Sequence, residues 1–176
     1  MKFLVVDDEY ESIQPFKEAL EKRYPAPSNT IIWSTTVERA GTIVRNSVPP
    51  DLIILDVMLR RIGDAEDDEN GDGSEPIDIN AGVEFLNTNG AWLMLSRIPV
   101  IVLTNRKSQE IKTAIEDLRF KKVDDEGADV IGEDGNPEIV SFPQNQYVVR
   151  TKLVEIMPSG LINLVSELLA LFRPLD

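Results

Sequence analysis

Residues 51–59 read DLIILDVML: an acid, four consecutive apolar residues (Leu52–Leu55), and a second acid at Asp56. Four apolar residues without polar alternation fit a strand covered on both faces, and the acid marks where that strand reaches the surface. The same pattern recurs outward along the chain. Lys2–Val6 (KFLVV) stops at Asp7-Asp8, and Val100–Leu103 (VIVL), opened by Pro99, stops at Thr104. Thr30–Thr35 (TIIWST) and Tyr147–Val149 are two further short strand candidates.

Between these runs, apolar residues return at helical spacing. Ile13, Phe16, Leu20 and Tyr24 predict a first helix with Ser12 as its cap. Val37–Asn46, Ala81–Leu93 and the set Ile111, Ala114, Ile115 and Leu118 predict three more. Pro158 opens a last helix with Leu161, Leu164, Val165, Leu168 and Phe172 on one face. Trp33 and Trp92 read as packing residues. Strands alternating with amphipathic helices predict an α/β fold, mostly parallel and covered on both sides. Ligands of such sheets sit beyond the carboxyl ends of the strands.

Composition narrows the function. With 176 residues, one domain spanning 1–176 is expected. There is no Cys and no His, which removes disulfides, thiolate catalysis, Cys/His zinc sites and Ser-His-Asp triads. The net charge of −13 argues against direct nucleic-acid binding, because phosphates reward Lys and Arg. Neither a signal peptide nor an apolar stretch long enough to cross a membrane is present, so a cytoplasmic chain without membrane contact is expected.

The acidity is concentrated. Asp64–Asp78 holds eight acids and Asp124–Glu138 seven, with no base in either. Together they carry −15, which leaves +2 on the other 146 residues. Both stretches are rich in Gly, Asn and Pro and read as insertions, at about 60–80 and about 123–146, into a nearly neutral domain. The second predicts a hairpin at Val130–Phe142 around Asp134-Gly135-Asn136, and no internal repeat is visible. Asp68–Gly73 resembles the first half of a calcium loop, but Ile79 stands where a bidentate Glu is required, so a solvated acidic loop is the better reading.

The strand ends gather Asp7, Asp8, Asp56, Thr104 and a base near Lys152. Crowded carboxylates repel one another, and a hard divalent cation such as magnesium relieves that cost. A carboxylate so masked can attack a phosphoryl group, while a hydroxyl and an ammonium stabilise the transferring oxygens. KFLVVDDE, DLIILDVML, IPVIVLTN and YVVRTK resemble, in order, the strand-end motifs of response-regulator receiver domains of two-component signalling. With the acidic stretches set aside, the resemblance covers nearly the whole chain.

The resemblance implies a flavodoxin-like doubly wound sheet of five strands in the order 2-1-3-4-5. It implies Asp56 as phosphoacceptor, and Mg2+ held by Asp8, by Asp7 mainly through water, by Asp56 and by the carbonyl of Met58. It implies Thr104 and Lys152 as partners of the phosphoryl group, with self-catalysed phosphorylation and dephosphorylation as the only enzymatic activity. Gly82 resembles the glycine that opens the third helix.

Three departures stand beside these motifs. Leu153 follows Lys152 where receivers usually carry Pro, and Asn105 follows Thr104 where they prefer Ala or Gly. A register on Tyr147-Val-Val-Arg150 makes Tyr147 the aromatic switch and Arg150 the base. A third register uses Gly127-Ala128-Asp129 as the lead into the fifth strand. The expected function is a stand-alone receiver phosphorylated on Asp56 by a histidine kinase or phosphotransfer protein. Output would pass to a downstream protein partner, with homodimerisation left open. The alternative is a receiver-like interaction module that is not phosphorylated. An Asp-nucleophile phosphohydrolase would want an acid at position 58, which is Met.

Overall fold

Five parallel strands form the centre: β1 (Lys2–Val6), β2 (Thr30–Ser34), β3 (Leu52–Asp56), β6 (Val100–Thr104) and β9 (Tyr147–Thr151). The computed structural model describes residues 1–46, 48–60, 77–78, 80–124, 126–152 and 158–172. The acids from Asp64 to Glu75, the run resembling the first half of a calcium loop (Asp68–Gly73), Ile79 and Leu153 lie outside them. The sheet order is β2-β1-β3-β6-β9, which is 2-1-3-4-5 when these five strands are counted along the chain, as expected. All four pairings are parallel; Asp56 stands opposite Leu103, and Thr104 opposite Thr151.

Alternation along each strand divides the core into two layers. Phe3, Val5, Leu52, Ile54, Ile101 and Leu103 face α1 (Tyr10–Arg23) and α5 (Pro158–Phe172), through Ile13, Phe16, Leu20, Leu161 and Val165. Leu4, Val6, Ile53, Leu55, Val100 and Val102 face α2 (Val37–Val44), α3 (Ala81–Leu95) and α4 (Ser108–Glu116). The three inner strands are buried along almost their whole length, which is why they read as unbroken apolar runs. Trp33 packs on the first layer; Trp92 is 38% exposed and its indole N–H donates to the Val44 carbonyl. Among the described residues no helix is long and apolar enough to cross a membrane.

Several boundaries differ from the sequence reading. Helix α1 begins at Tyr10 with Glu9 as its N-cap, so Ser12 lies inside the first turn and is not the cap. The first turn tolerates Ser there because its N–H groups lack intrahelical partners in any case. Helix α4 ends at Glu116, which leaves Leu118 beyond it. The Gly127-Ala128-Asp129 register fails, because the fifth strand of the sheet is Tyr147–Thr151.

The first acidic insertion leaves β3 through β4 (Leu59–Arg60) and returns through β5 (Ile77–Asp78), which pair antiparallel. The second is an ordered β-excursion. Strands β7 (Arg119–Lys121) and β8 (Ile139–Ser141) pair antiparallel at its base. The expected turn at Asp134-Gly135-Asn136 is present, closed by a bridge between Ile131 and Pro137. A second, equivalent turn precedes it, closed by Val123 and Asp129, so the absence of an internal repeat is corrected. The stretches 122–129 and 130–137 share a pattern of main-chain hydrogen bonds among their described residues. Asp124 N–H donates to Ala128 and Gly127 N–H to Asp124; eight residues on, Gly132 donates to Asn136 and Gly135 to Gly132. Gly127 and Gly135 both take positive φ (84° and 79°), where a side chain would be strained. Most other positions differ in side chain, so the sequence does not show this likeness.

Candidate functional site

The ends of β1, β3 and β9 bring Asp7, Asp56 and Lys152 together on the carboxyl edge of the sheet, where β6 also ends, at Thr104. Asp7 follows β1, and its backbone N–H is fixed by the Ser34 carbonyl at the end of β2 (3.0 Å). Asp56 is the last residue of β3, Thr104 the last of β6, and Lys152 follows β9 with its N–H on the Thr104 carbonyl (2.7 Å). Parallel pairing puts these ends on the same edge.

The Lys152 ammonium bridges two carboxylates, at 2.6 Å from Asp7 Oδ2 and 2.7 Å from Asp56 Oδ2. All three groups are buried. The remaining oxygens are held by the main chain: Glu9 N–H donates to Asp7 Oδ1 (2.8 Å), and Met58 N–H to Asp56 Oδ1 (3.2 Å). Half-buried Asp8 completes a trio in which one oxygen from each of Asp7, Asp8 and Asp56 lies within 4.8 Å of the others. Arg150, the alternative base, is exposed and turns its guanidinium back onto the Val149 carbonyl.

Burial sets the titration of this cluster. Loss of water raises the Asp56 carboxyl to about 6 and Asp7 adds to the rise, against the pull of the Lys152 charge. Asp7 is raised as well, by burial first. For Lys152, burial disfavours the ammonium, but Asp56 and Asp7 together outweigh it and hold it above the usual lysine value. Three carboxylates and one ammonium sum to −2, and all the donors are hard oxygens. That set fits a small divalent cation of the magnesium or manganese kind.

The loop after β6 closes one side. Thr104 Oγ1 accepts from Arg106 N–H (3.0 Å), and the Arg106 guanidinium reaches Asn80 Oδ1 and Glu110 Oε2, each at 3.3 Å. Sequence reasoning passed over Arg106 and Asn80, since neither sits at a strand end. Gly82 opens α3 against the site, with its N–H on the Val57 carbonyl (3.0 Å). Tyr147 is buried at the opposite end of β9, edge-to-face on Phe142, far from where an aromatic three residues before Lys152 would stand; that position is Val149.

No protein-family model matches the chain, and no curated protein sequence matches it. Solved structures do. The N-terminal domain of a response regulator/sensory box/GGDEF three-domain protein from Carboxydothermus hydrogenoformans is 21% identical. The alignment covers 98% of this chain and 97% of that one, with a TM-score of 0.54. The phosphorylated cyanobacterial phytochrome response regulator RcpA is 18% identical over 98% of this chain and 94% of that one (TM-score 0.54). The Mn2+-bound form of response regulator Rcp1 is 17% identical over 99% and 96%, respectively (TM-score 0.53). A doubly wound sheet with this order and an acidic carboxyl edge defines the class. Within it, the chain has the fold of response-regulator receiver domains.

Proposed function

We propose that the chain is a receiver that takes a phosphoryl group onto Asp56 from the phosphohistidine of a kinase or phosphotransfer protein. The observation that carries this reading is the cluster itself: a buried carboxylate at a strand end, bridged by Lys152 to Asp7, with Asp8 beside it and Thr104 ending the neighbouring strand. RcpA, with a comparable fold, is known in a phosphorylated form, and Rcp1 with a divalent metal bound.

In the proposed reaction an Asp56 Oδ atom attacks phosphorus, a P–O bond forms, and the P–N bond to the donor imidazole breaks with its electron pair returning to nitrogen. Asp56 needs no general base, since a carboxyl at about 6 is largely ionised at neutral pH. Asp7, Asp8, Asp56 and the Met58 carbonyl would hold Mg2+, which supplies charge neutralisation at the carboxylates. Lys152 would pass from Asp56 to a phosphoryl oxygen, and the Thr104 hydroxyl, which accepts from Arg106 N–H, would donate its proton to another. Attack of water at phosphorus later breaks the P–O bond to Asp56, releasing inorganic phosphate and restoring the carboxylate. The signal would leave through protein contacts.

The test is intact mass after incubation with acetyl phosphate and magnesium. The wild type should gain one phosphoryl mass and Asp56→Asn none. A wild type that stays unmodified while binding partners normally would make the chain an interaction module, and incorporation that survives in Asp56→Asn would reassign the acceptor.

A further inference from the structure

The β-excursion between α4 and β9 enters the sheet beside Tyr147 and Val100, at the edge opposite Asp56. Five residues of strand at roughly 3.3 Å per residue separate the two edges by about 13 Å. It bonds mainly to itself. Lys122 N–H donates to Glu138, Glu138 N–H to Val130, and Val130 N–H to Lys122, at 2.8, 2.8 and 2.9 Å, so three main-chain groups close a ring.

Cross-strand partners share a face, and so do residues two apart along a strand. Lys121 pairs with Ile139, Val123 with Asp129, and Ile131 with Pro137. Two-residue steps join 121 to 123, 129 to 131 and 137 to 139, so all six side chains stand on one face. The Lys121–Asp129 ion pair at 2.8 Å agrees with that assignment, and the Lys122–Glu138 pair, also at 2.8 Å, lies on the other face. The first face therefore groups Val123, Ile131, Pro137 and Ile139. Both isoleucines are 56% exposed, although β-branched apolar residues are ordinarily found inside.

Charge surrounds this apolar centre on one side of the ledger only. Lys121 and Lys122 are taken by Asp129 and Glu138, and Arg119 donates to the carbonyls of Glu116 and Leu118. Asp124, Glu126, Glu133 and Asp134 remain, exposed in the two turns. Nucleic acid and anionic lipid are repelled by such a rim, and a second copy of this chain brings the same acids and a net −13.

We propose that this face docks a protein segment whose apolar side chains are flanked by Lys or Arg. Being on the edge opposite Asp56, it serves as an attachment surface that leaves the carboxylate cluster open.

The experiment titrates the isotope-labelled full chain with a short amphipathic Lys/Leu peptide at physiological ionic strength, beside a Lys/Ser peptide of equal charge. Amide shifts should centre on residues 121–139. Ile131→Ser/Ile139→Ser should weaken the Lys/Leu peptide about tenfold while leaving thermal stability unchanged, since both side chains are exposed. Glu133→Lys/Asp134→Lys should weaken it too, and the Lys/Ser peptide should bind more weakly than Lys/Leu. Shifts centred elsewhere, equal binding by the isoleucine variant, or equal binding of the two peptides would each overturn the proposal.

Discussion

Gly82 opens α3 directly against the main chain of Asp56: a Cβ at position 82 would overlap the Asp56 carbonyl oxygen and the Val57 Cα. The obstacle is backbone, which cannot rotate away as a side chain can. Gly82→Ala should therefore cost on the order of 1–3 kcal/mol in urea unfolding and displace the end of β3. Phosphoryl incorporation from acetyl phosphate should fall with it. An alanine variant of wild-type stability would show that the helix start shifts freely.

Asp56→Asn should stabilise the protein, and the gain should depend on pH. The Asp56 carboxyl sits at about 6 in the folded chain against an ordinary 3.8, so the folded state holds this proton more tightly than the unfolded state. Its contribution to stability is thus fully present below about pH 4 and is lost as pH rises through about 6. The advantage of Asn over Asp should grow across that window by on the order of 1–3 kcal/mol and level off above it. Urea unfolding of both proteins across the range checks this. An advantage that does not change with pH would refute it.

Lys152→Met leaves Asp7 and Asp56 buried together without a cation. A loss of about 3–5 kcal/mol is expected at neutral pH, shrinking as acid protonates the carboxylates. Arg150→Ala, at an exposed position, should change stability by no more than about 0.5 kcal/mol. Thermal melts of the two variants side by side decide it, and equal losses would contradict the site geometry.

Tyr147→Phe should be neutral or stabilising by about 1 kcal/mol. The Tyr147 hydroxyl is buried and has no hydrogen-bond partner among the described residues, so its removal ends a desolvation cost. The ring itself keeps its contact with Phe142 at 5.8 Å. A loss above about 1 kcal/mol would mean that the hydroxyl is satisfied in solution.

The sheet was legible because parallel strands buried on both faces leave an unmistakable trace: Leu52–Leu55 and Val100–Leu103 have no polar residue to disguise them. The groups at their ends, Asp56 and Thr104, were legible as the first polar residues after each run, although both prove to be buried. Lys152 was favoured over Arg150 through the resemblance alone, since the two lie two residues apart and only three-dimensional reach separates them. The excursion was half legible. Its Gly135 turn follows from local chemistry, whereas its repeat survives in main-chain conformation and in two glycines more than in side-chain identity. Arg106 and Asn80 are brought together by the fold across 26 positions of chain, a relation no local pattern encodes.

The closed ring at Lys122, Val130 and Glu138 has a consequence for how such a chain can change over generations. A segment that satisfies its own main chain asks little of its host, and closing short loops costs little entropy. Such a segment can be lengthened by another eight-residue unit, shortened, or recoded at its exposed positions without disturbing the strands that hold Asp56. Variation is then cheap at one pole of the molecule and forbidden at the other, so the two surfaces can follow separate histories.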